Sequence, residues 1–139
     1  FVDGSEDLYN KLSPFAISLG SAFQKVNFLR DIKDDSNILN RVYFPNVDMD
    51  NFNEDSKKEI IEEIEEDFKN AVKGIIRLPK NSKFAVYIAY RYYFKLLKKL
   101  KRISSENIVK KRVRIHNFQK FIVIARSYVK YQLNLIQWI

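Results

Sequence analysis

The chain of 139 residues has no cysteine, one histidine, three glycines and three prolines. The lack of cysteine excludes a disulfide framework and a thiolate metal site, and it suits a reducing cytosol. So little glycine and proline favours long helices over a turn-rich β architecture. No apolar run reaches the roughly eighteen uncharged residues of a membrane-spanning helix. Hydrophobic residues still make up 46% of the chain, enough for a folded core.

Acidic residues are almost absent from the second half of the chain. Residues 1–70 carry 8 Lys and Arg against 16 Asp and Glu, whereas residues 71–139 carry 17 against a single acidic residue, Glu106. A basic half is most often a solvated face, and less often a surface for phosphates, nucleic acid or anionic lipid. No DNA-binding or RNA-binding signature accompanies it, so we expect no nucleic-acid partner. Peripheral association with a membrane stays open.

Apolar residues recur at helical spacing in five segments, which predicts an all-α bundle of about five helices. Ser13 is a candidate N-cap for the first helix, because Pro14 suits the first helical position. Asn53 or Asp55 is the candidate cap of the second helix, and Ser104 or Ser105 that of the fourth. The predicted helices cover residues 13–36, 54–78, 82–103, 104–111 and 117–138.

Two helix faces are predicted from these spacings. The second helix has an apolar stripe from Ile60 to Ile76, and its acidic face, from Glu59 to Asp67, is interpreted as mostly solvated surface. On the third helix four residues are predicted to face the core. These are Phe84, Ile88, Leu96 and Leu100.

Residues 21–45 read SAFQKVNFLRDIKDDSNILNRVYFP and place three aspartates among apolar side chains. Ionised carboxylates there lose hydration that a cation or a hydrogen-bond donor must replace. Residues three or four positions apart share one helix face, so the small and polar residues form a single line. The line consists of Ala16, Gly20, Gln24, Asn27, Asp31 and Asp35. This pattern predicts the wall of a cavity that is apolar at one end and anionic at the other.

The anionic end of this line offers only oxygen donors. Asp31 and Asp35 lie one turn apart and Asn27 one turn earlier, which favours Mg²⁺, with Mn²⁺ as the alternative, over zinc. Mg²⁺ commonly combines one or two carboxylates with substrate phosphates. The alternative is that Asp31 simply pairs with Arg30 and that the other aspartates are a solvated helix end. The residues predicted to hold phosphate oxygens are Arg30, Arg41 and Tyr43.

The same stretch resembles the second aspartate-rich region of the squalene/phytoene synthase family. The family pattern is approximately LG-x-A-x-Q-x-x-N-hydrophobic-x-R-D-x-x-x-D, followed by R-x-Y-hydrophobic-P. The matching positions are Leu19, Gly20, Ala22, Gln24, Asn27, Arg30, Asp31, Asp35, Arg41, Tyr43 and Pro45. Two departures are mild: Asp34 stands where the family often has Glu, and Asn40 stands where it commonly has Gly.

The resemblance implies an isoprenoid-synthase-type helical fold and a Mg²⁺-dependent prenyltransferase. Such an enzyme condenses two all-trans prenyl diphosphates, geranylgeranyl or farnesyl, head to head. The reaction passes through a cyclopropyl diphosphate to phytoene or a similar hydrocarbon. The carotenoid-forming phytoene and dehydrosqualene synthases are more similar to this chain than the squalene synthases are.

The resemblance also implies roles for single residues. Mg²⁺ would be bound by Asp31, Asp35 and Asn27, and the two aspartates would act in catalysis together with Arg30 and Tyr93. Substrate contacts are implied for Gln24, Asn27, Arg30, Arg41, Tyr43, Tyr93 and Arg112. The developing carbocation needs an apolar pocket, for which Ala16, Gly20, Phe23, Tyr87 and Tyr90 are candidates unless they only pack the core.

The family has a first aspartate-rich motif on an earlier helix, and nothing in this chain supplies it. We therefore expect all 139 residues to be the C-terminal portion of an enzyme roughly twice as long, inert without its N-terminal half. The expected location is the cytoplasm, either free or at the inner face of the membrane. The alternatives are a non-catalytic helical assembly module and, less favoured, a basic binder of nucleic acid or membrane surfaces.

Overall fold

The computed structural model describes residues 1–32, 44, 47, 51–111, 113–115 and 117–133, and within these ranges it contains five α-helices and no strand. The predicted all-α class is confirmed. The helices are α1 (Glu6–Asp31), α2 (Glu54–Ile75), α3 (Lys80–Arg102), α4 (Ser105–Lys110) and α5 (Asn117–Gln132). Helix α1 packs along α2, α3 contacts both of them, and α5 packs on α3. None of the described helices is both long and apolar enough to cross a membrane.

The first helix begins at Glu6, so the predicted start at Ser13 is wrong. Its N-cap is Ser5, whose Oγ accepts a hydrogen bond from the backbone N–H of Leu8 at 3.2 Å. Pro14 lies inside the helix, where its missing N–H removes one backbone hydrogen bond. Pro14 is exposed, so water can satisfy the carbonyl left without a partner, and the apolar spacing continues back to Leu8. The predicted extensions to residues 36 and 138 fall outside the described residues.

The predicted start and inward face of α2 are confirmed. Asn53 caps the helix, because its Oδ1 accepts hydrogen bonds from the backbone N–H groups of Asp55 at 2.9 Å and Ser56 at 3.0 Å. The side chains of the apolar stripe that are fully buried are Ile60, Ile61, Ile64, Phe68 and Ile75. At the fourth helix, Ser104 is the N-cap residue, also as predicted.

The inward face of α3 differs in part from the prediction. Leu96 and Leu100 are buried as expected, but Phe84 and Ile88 are only half-buried. Phe84 faces α5, where its ring lies 4.9 Å from that of Tyr131, and α5 itself has one side open to solvent. The fully buried positions of α3 include Tyr87 at 0% exposure, a position that the sequence also associated with a substrate pocket.

Helices α1 and α2 approach each other closely at Gly74. A Cβ atom built on Gly74 would lie 2.4 Å from the Cβ of Phe15 on α1 and 3.0 Å from its Cγ. Real side chains do not come this close, so glycine is required for the observed separation of the two helices. The other helical glycine, Gly20, has no atom within 4 Å of such a Cβ.

The first turn of α2 joins the end of α3 to the start of α4. Lys57 is buried, and its Nζ donates to the backbone carbonyl of Ile103 at 2.9 Å. Glu54 pairs with Lys57 at 2.6 Å and accepts a hydrogen bond from the backbone N–H of Ser105 at 2.5 Å. These bonds hold the pKa of Glu54 below its ordinary value, with the bond to Lys57 as the largest cause. Two side chains of α2 thus cap two other helices.

A charged network crosses between α1 and α2. Lys25 binds Asp67 at 2.8 Å and also contacts Glu63, and the Ser21 hydroxyl donates to the same Asp67 oxygen at 2.7 Å. The side chain of Lys25 is only 12% exposed and that of Asp67 21% exposed. Most of the acidic face of α2 is solvated as predicted, but Asp67 is not. Burial lowers the pKa of Lys25, yet the hydrogen bonds to Asp67 and Glu63 outweigh it and leave the pKa above 10.5.

We expect Lys25→Met to lower the free energy of unfolding by about 1 kcal/mol near pH 8, because the buried carboxylate of Asp67 loses its cation. Lys25 has a raised pKa in the folded chain, so its contribution is complete below pH 10.5 and falls as the pH rises through the folded pKa. Urea unfolding at pH 8 and pH 11 measures both effects. The difference between wild type and variant should shrink at pH 11. Lys11→Met is the control, because Lys11 pairs with Asp7 in solvent; an equal loss there would contradict the prediction.

Candidate functional site

The predicted polar line lies along one face of α1, and its exposure changes along the helix. Ala16, Gly20 and Gln24 are exposed, whereas Asn27 and Asp31 are half-buried. The small residues therefore leave the face uncovered by the described part of the chain, as the pattern suggested. The polar residues near the end of α1 instead meet side chains of α3.

Asn27 and Tyr93 connect α1 to α3. The Asn27 Nδ2 donates a hydrogen bond to the Tyr93 Oη at 3.2 Å, and the Tyr93 ring stacks on Phe23 with 4.1 Å between ring centroids. Both residues were predicted to contact substrate, and the structure brings them together. The Oδ1 atom of Asn27 is buried and has no hydrogen-bond partner in the described part of the chain. An orphaned carbonyl oxygen in this position is a free ligand for a cation or a donor.

Arg30 and Asp31 form a two-point ion pair beside this cluster. The Nε of Arg30 lies 3.0 Å from Oδ1 of Asp31, and its Nη2 lies 2.5 Å from Oδ2. The hydrogen bonding to Asp31 outweighs desolvation and raises the pKa of the Arg30 guanidinium, with smaller electrostatic contributions from Tyr93 and Tyr92. The pairing alternative weighed for Asp31 is thus observed. It does not exclude a metal role, because each carboxylate oxygen retains acceptor capacity.

Four predicted site residues lie outside the described part of the chain. They are Asp35, Arg41, Tyr43 and Arg112. Their predicted roles stay predictions, including that of Asp35 as the second carboxylate. Among the described residues no group of three or more His, Cys, Asp or Glu side chains is close enough to hold a metal ion.

The described donors nevertheless fit a hard cation. Asn27 Oδ1 has no partner among the residues that the structure describes, and Asp31 supplies carboxylate oxygens one helical turn further on. Amide and carboxylate oxygens are the donors that Mg²⁺ and Mn²⁺ take, usually completed by waters and phosphate oxygens. A partial set of protein ligands is therefore what a metal that also binds a diphosphate requires.

An apolar cavity of about 320 Å³ lies at the other end of α1. Leu12, Ala16 and Leu19 line one side of it, and Gly74 and Ile75 of α2 line another. Ala16 was the first member of the polar line, so the predicted apolar end is present near it. Tyr87 and Tyr90 do not line this cavity, and both are buried members of the hydrophobic core.

The family model for squalene/phytoene synthase matches residues 3–119. The chain belongs to the squalene/phytoene synthase family. The match covers α1 to α4 and ends within α5, so it includes both helices that form the Asn27–Tyr93 contact. Comparisons with curated proteins and with solved structures gave no significant match. Membership supports a head-to-head prenyltransferase family and a transferase of isoprenoid biosynthesis.

Two features near the family's polar line were not predicted. Tyr92 contributes to the electrostatic surroundings of Arg30, and Lys25 ties the middle of α1 to α2. The sequence did contain a pattern that indicates the contact made by Lys25. Ser21 and Lys25 are one helical turn apart, and so are Glu63 and Asp67, a spacing that lets two helix faces pair. No local signal linked Tyr92 to Arg30.

Proposed function

We propose that this chain is the C-terminal portion of a Mg²⁺-dependent enzyme that condenses two all-trans prenyl diphosphates head to head, by way of a cyclopropyl diphosphate, to phytoene or a similar hydrocarbon. The observation that carries the proposal is the cluster of Asn27, Arg30, Asp31 and Tyr93 with its unpartnered amide oxygen. Mg²⁺, or Mn²⁺ in its place, would supply positive charge to the diphosphate as it leaves. The missing half would supply the other acidic motif.

In this proposal Asp31, Asn27 and Asp35 hold the metal. Arg30 commits part of its guanidinium to Asp31, and its remaining N–H groups are donors for diphosphate oxygens. The Tyr93 hydroxyl lies within hydrogen-bonding distance of Asn27, so it would bind the same diphosphate from α3. Donors fixed before the reaction stabilise the charge that develops on the leaving group.

The apolar parts of α1 suit the hydrocarbon chains. Ala16 at the cavity and Asn27 in the cluster are eleven residues apart, about 16 Å along the helix axis. That separation is on the scale of an extended prenyl chain whose diphosphate is held at Asn27. Phe23, stacked on Tyr93, lies between the two ends and would exclude water from a developing carbocation.

The direct test is ligand-dependent stability. Mg²⁺ added together with a non-reactive prenyl thiodiphosphate should raise the thermal midpoint by a few degrees, since a ligand at about ten times its Kd contributes about 1.4 kcal/mol. Differential scanning fluorimetry with and without excess EDTA measures it, and EDTA should abolish the rise. If the thermal midpoint rises neither in this chain nor in a protein that also carries the N-terminal half, the result would favour the non-catalytic assembly module.

We also expect no prenyltransferase turnover from this chain alone, because its sequence contains only one of the two aspartate-rich motifs that the proposed reaction needs. Product formation from radiolabelled geranylgeranyl diphosphate, followed by extraction of hydrocarbon, measures it. Turnover by the purified chain would contradict the proposed division of the site, whereas turnover restored by adding the preceding half would support it.

A further inference from the structure

A second cavity, of about 450 Å³, lies between α3 and α5. Tyr87 and Arg91 line it from α3, and Arg126, Ser127 and Lys130 are among the residues that line it from α5. Arg91 and Tyr93 are two positions apart on one helix, so their side chains leave the axis about 200° apart. The cavity therefore lies on the side of α3 that faces away from the Asn27–Tyr93 contact.

The charge in this cavity is of one sign. Neither α3 nor α5 contains Asp or Glu, and residues 107–139 contain none at all. Arg91, Arg126 and Lys130 form no ion pair in the described part of the chain, although nine other pairs are present there. The Arg91 guanidinium carbon lies 5.9 Å from the centroid of the Tyr87 ring. Among the described residues, no carboxylate therefore balances the three cations around this cavity.

Two hydroxyl groups of the cavity lining also lack partners among the described residues. Tyr87 is 0% exposed and Ser127 is 1% exposed, and neither Tyr87 Oη nor Ser127 Oγ makes a hydrogen bond within that part of the chain. A buried hydroxyl without a partner costs free energy, so a native site usually supplies an acceptor. Ser127 is itself one of the residues that line the cavity. Cationic groups and hydroxyl donors around one cavity can together bind an oxyanion.

We propose that the α3–α5 cavity binds the phosphate group of an anionic ligand. A tetrahedral phosphate presents enough oxygens to accept from two guanidinium groups, an ammonium group and a hydroxyl, which a single carboxylate does not. The site is separate from the one proposed for prenyl diphosphates and does not depend on that function. The phosphate can belong to a lipid head group or to a soluble molecule.

The surface beside the cavity favours one of these two sources of phosphate. Phe121, Ile124, Tyr128 and Val129 of α5 are large apolar side chains with 48% to 68% exposure. An exposed apolar helix face next to unpaired cations is the arrangement found where a helix lies in a membrane interface. We therefore expect phosphate bound to a lipid to be preferred over free phosphate.

The test uses co-sedimentation with vesicles of phosphatidylglycerol and phosphatidylcholine, and a parallel titration with inorganic phosphate at constant ionic strength followed by NMR chemical shifts. If the wild-type chain binds vesicles or inorganic phosphate, the double variant Arg126→Gln/Lys130→Gln should weaken that binding by about tenfold. The control Lys98→Gln/Arg102→Gln removes the same charge from exposed positions of α3, and we expect about a twofold loss. Ser127→Ala changes no charge and removes an unsatisfied hydroxyl, so it should weaken binding without lowering the thermal midpoint.

Each outcome decides the proposal. Binding in the vesicle arm alone supports a lipid head group, and binding in the phosphate arm supports a soluble phosphate ligand, provided that the cavity variants lose it and the control does not. Equal losses in the cavity and control variants would show attraction to the basic half as a whole and overturn the site. Absence of binding in both arms would overturn it as well.

Discussion

Asp31→Asn should reduce prenyltransferase turnover on the order of 1,000-fold in an enzyme that joins this chain to the N-terminal half that we propose. The amide keeps the size of the side chain but removes the negative charge that would hold a cation next to Asn27 Oδ1. It also releases Arg30 from its two-point pair, so the guanidinium loses its fixed direction. Steady-state kinetics at several Mg²⁺ concentrations measure the effect, and the apparent affinity for Mg²⁺ should fall together with kcat.

Asp7→Asn is the matched control for this substitution. Asp7 lies on the same helix and pairs with Lys11 at 2.7 Å, but both side chains are largely exposed. We expect its turnover and thermal midpoint to remain at wild-type values. Near-wild-type turnover of Asp31→Asn would contradict the metal role. A large drop in thermal midpoint with unchanged Mg²⁺ dependence of the remaining activity would assign Asp31 to a structural pair with Arg30.

Gly74→Ala should destabilise the protein by about 2 kcal/mol. Alanine is the better helix former by about 1 kcal/mol, but its Cβ would stand 2.4 Å from the Cβ of Phe15. Neither atom moves without its backbone, so α1 and α2 must separate and lose packing along their contact, which costs more than the gain. Urea denaturation monitored by circular dichroism gives the free energy of unfolding.

Gly20→Ala is the natural comparison, because the same change occurs in a helix interior with open space around it. It should stabilise the protein by up to about 1 kcal/mol. The two variants should therefore differ by about 3 kcal/mol, well above the error of the measurement. Equal stability of the two would mean that the close approach of Gly74 to Phe15 does not exist in solution.

The features predicted correctly are those that depend on one helix at a time. The buried side chains Ile60, Ile64 and Phe68 follow from spacing along α2, and the alignment of Asn27 with Asp31 follows from helical geometry alone. The predicted start of α1 was wrong because proline is compatible with two positions in a helix. It is favoured in the first turn, but it is also tolerated in the interior when burial of the flanking apolar residues outweighs the loss of one hydrogen bond.

Contacts between helices could not be predicted from the sequence. Asn27 and Tyr93 are 66 positions apart, and only the packing of α1 on α3 places their polar atoms 3.2 Å from each other. The family resemblance implied a role for both residues without indicating that they touch. The sequence shows the low helix propensity of Gly74 but not the neighbour, Phe15, that leaves no room for a larger residue. Lys25 likewise gained its importance only from the approach of α2.

Lys57 and Glu54 cap the end of α3 and the start of α4, and this couples the folding of both helix ends to the first turn of α2. Helix α4 has six residues, too few to be stable by itself in water. Its first N–H group is held by Glu54, and the carbonyl that ends α3 is held by Lys57, so both termini depend on one turn located some fifty positions earlier. When that turn opens, α4 loses its anchor at the same moment. These three elements therefore form and melt as one folding unit, although they are far apart in the chain.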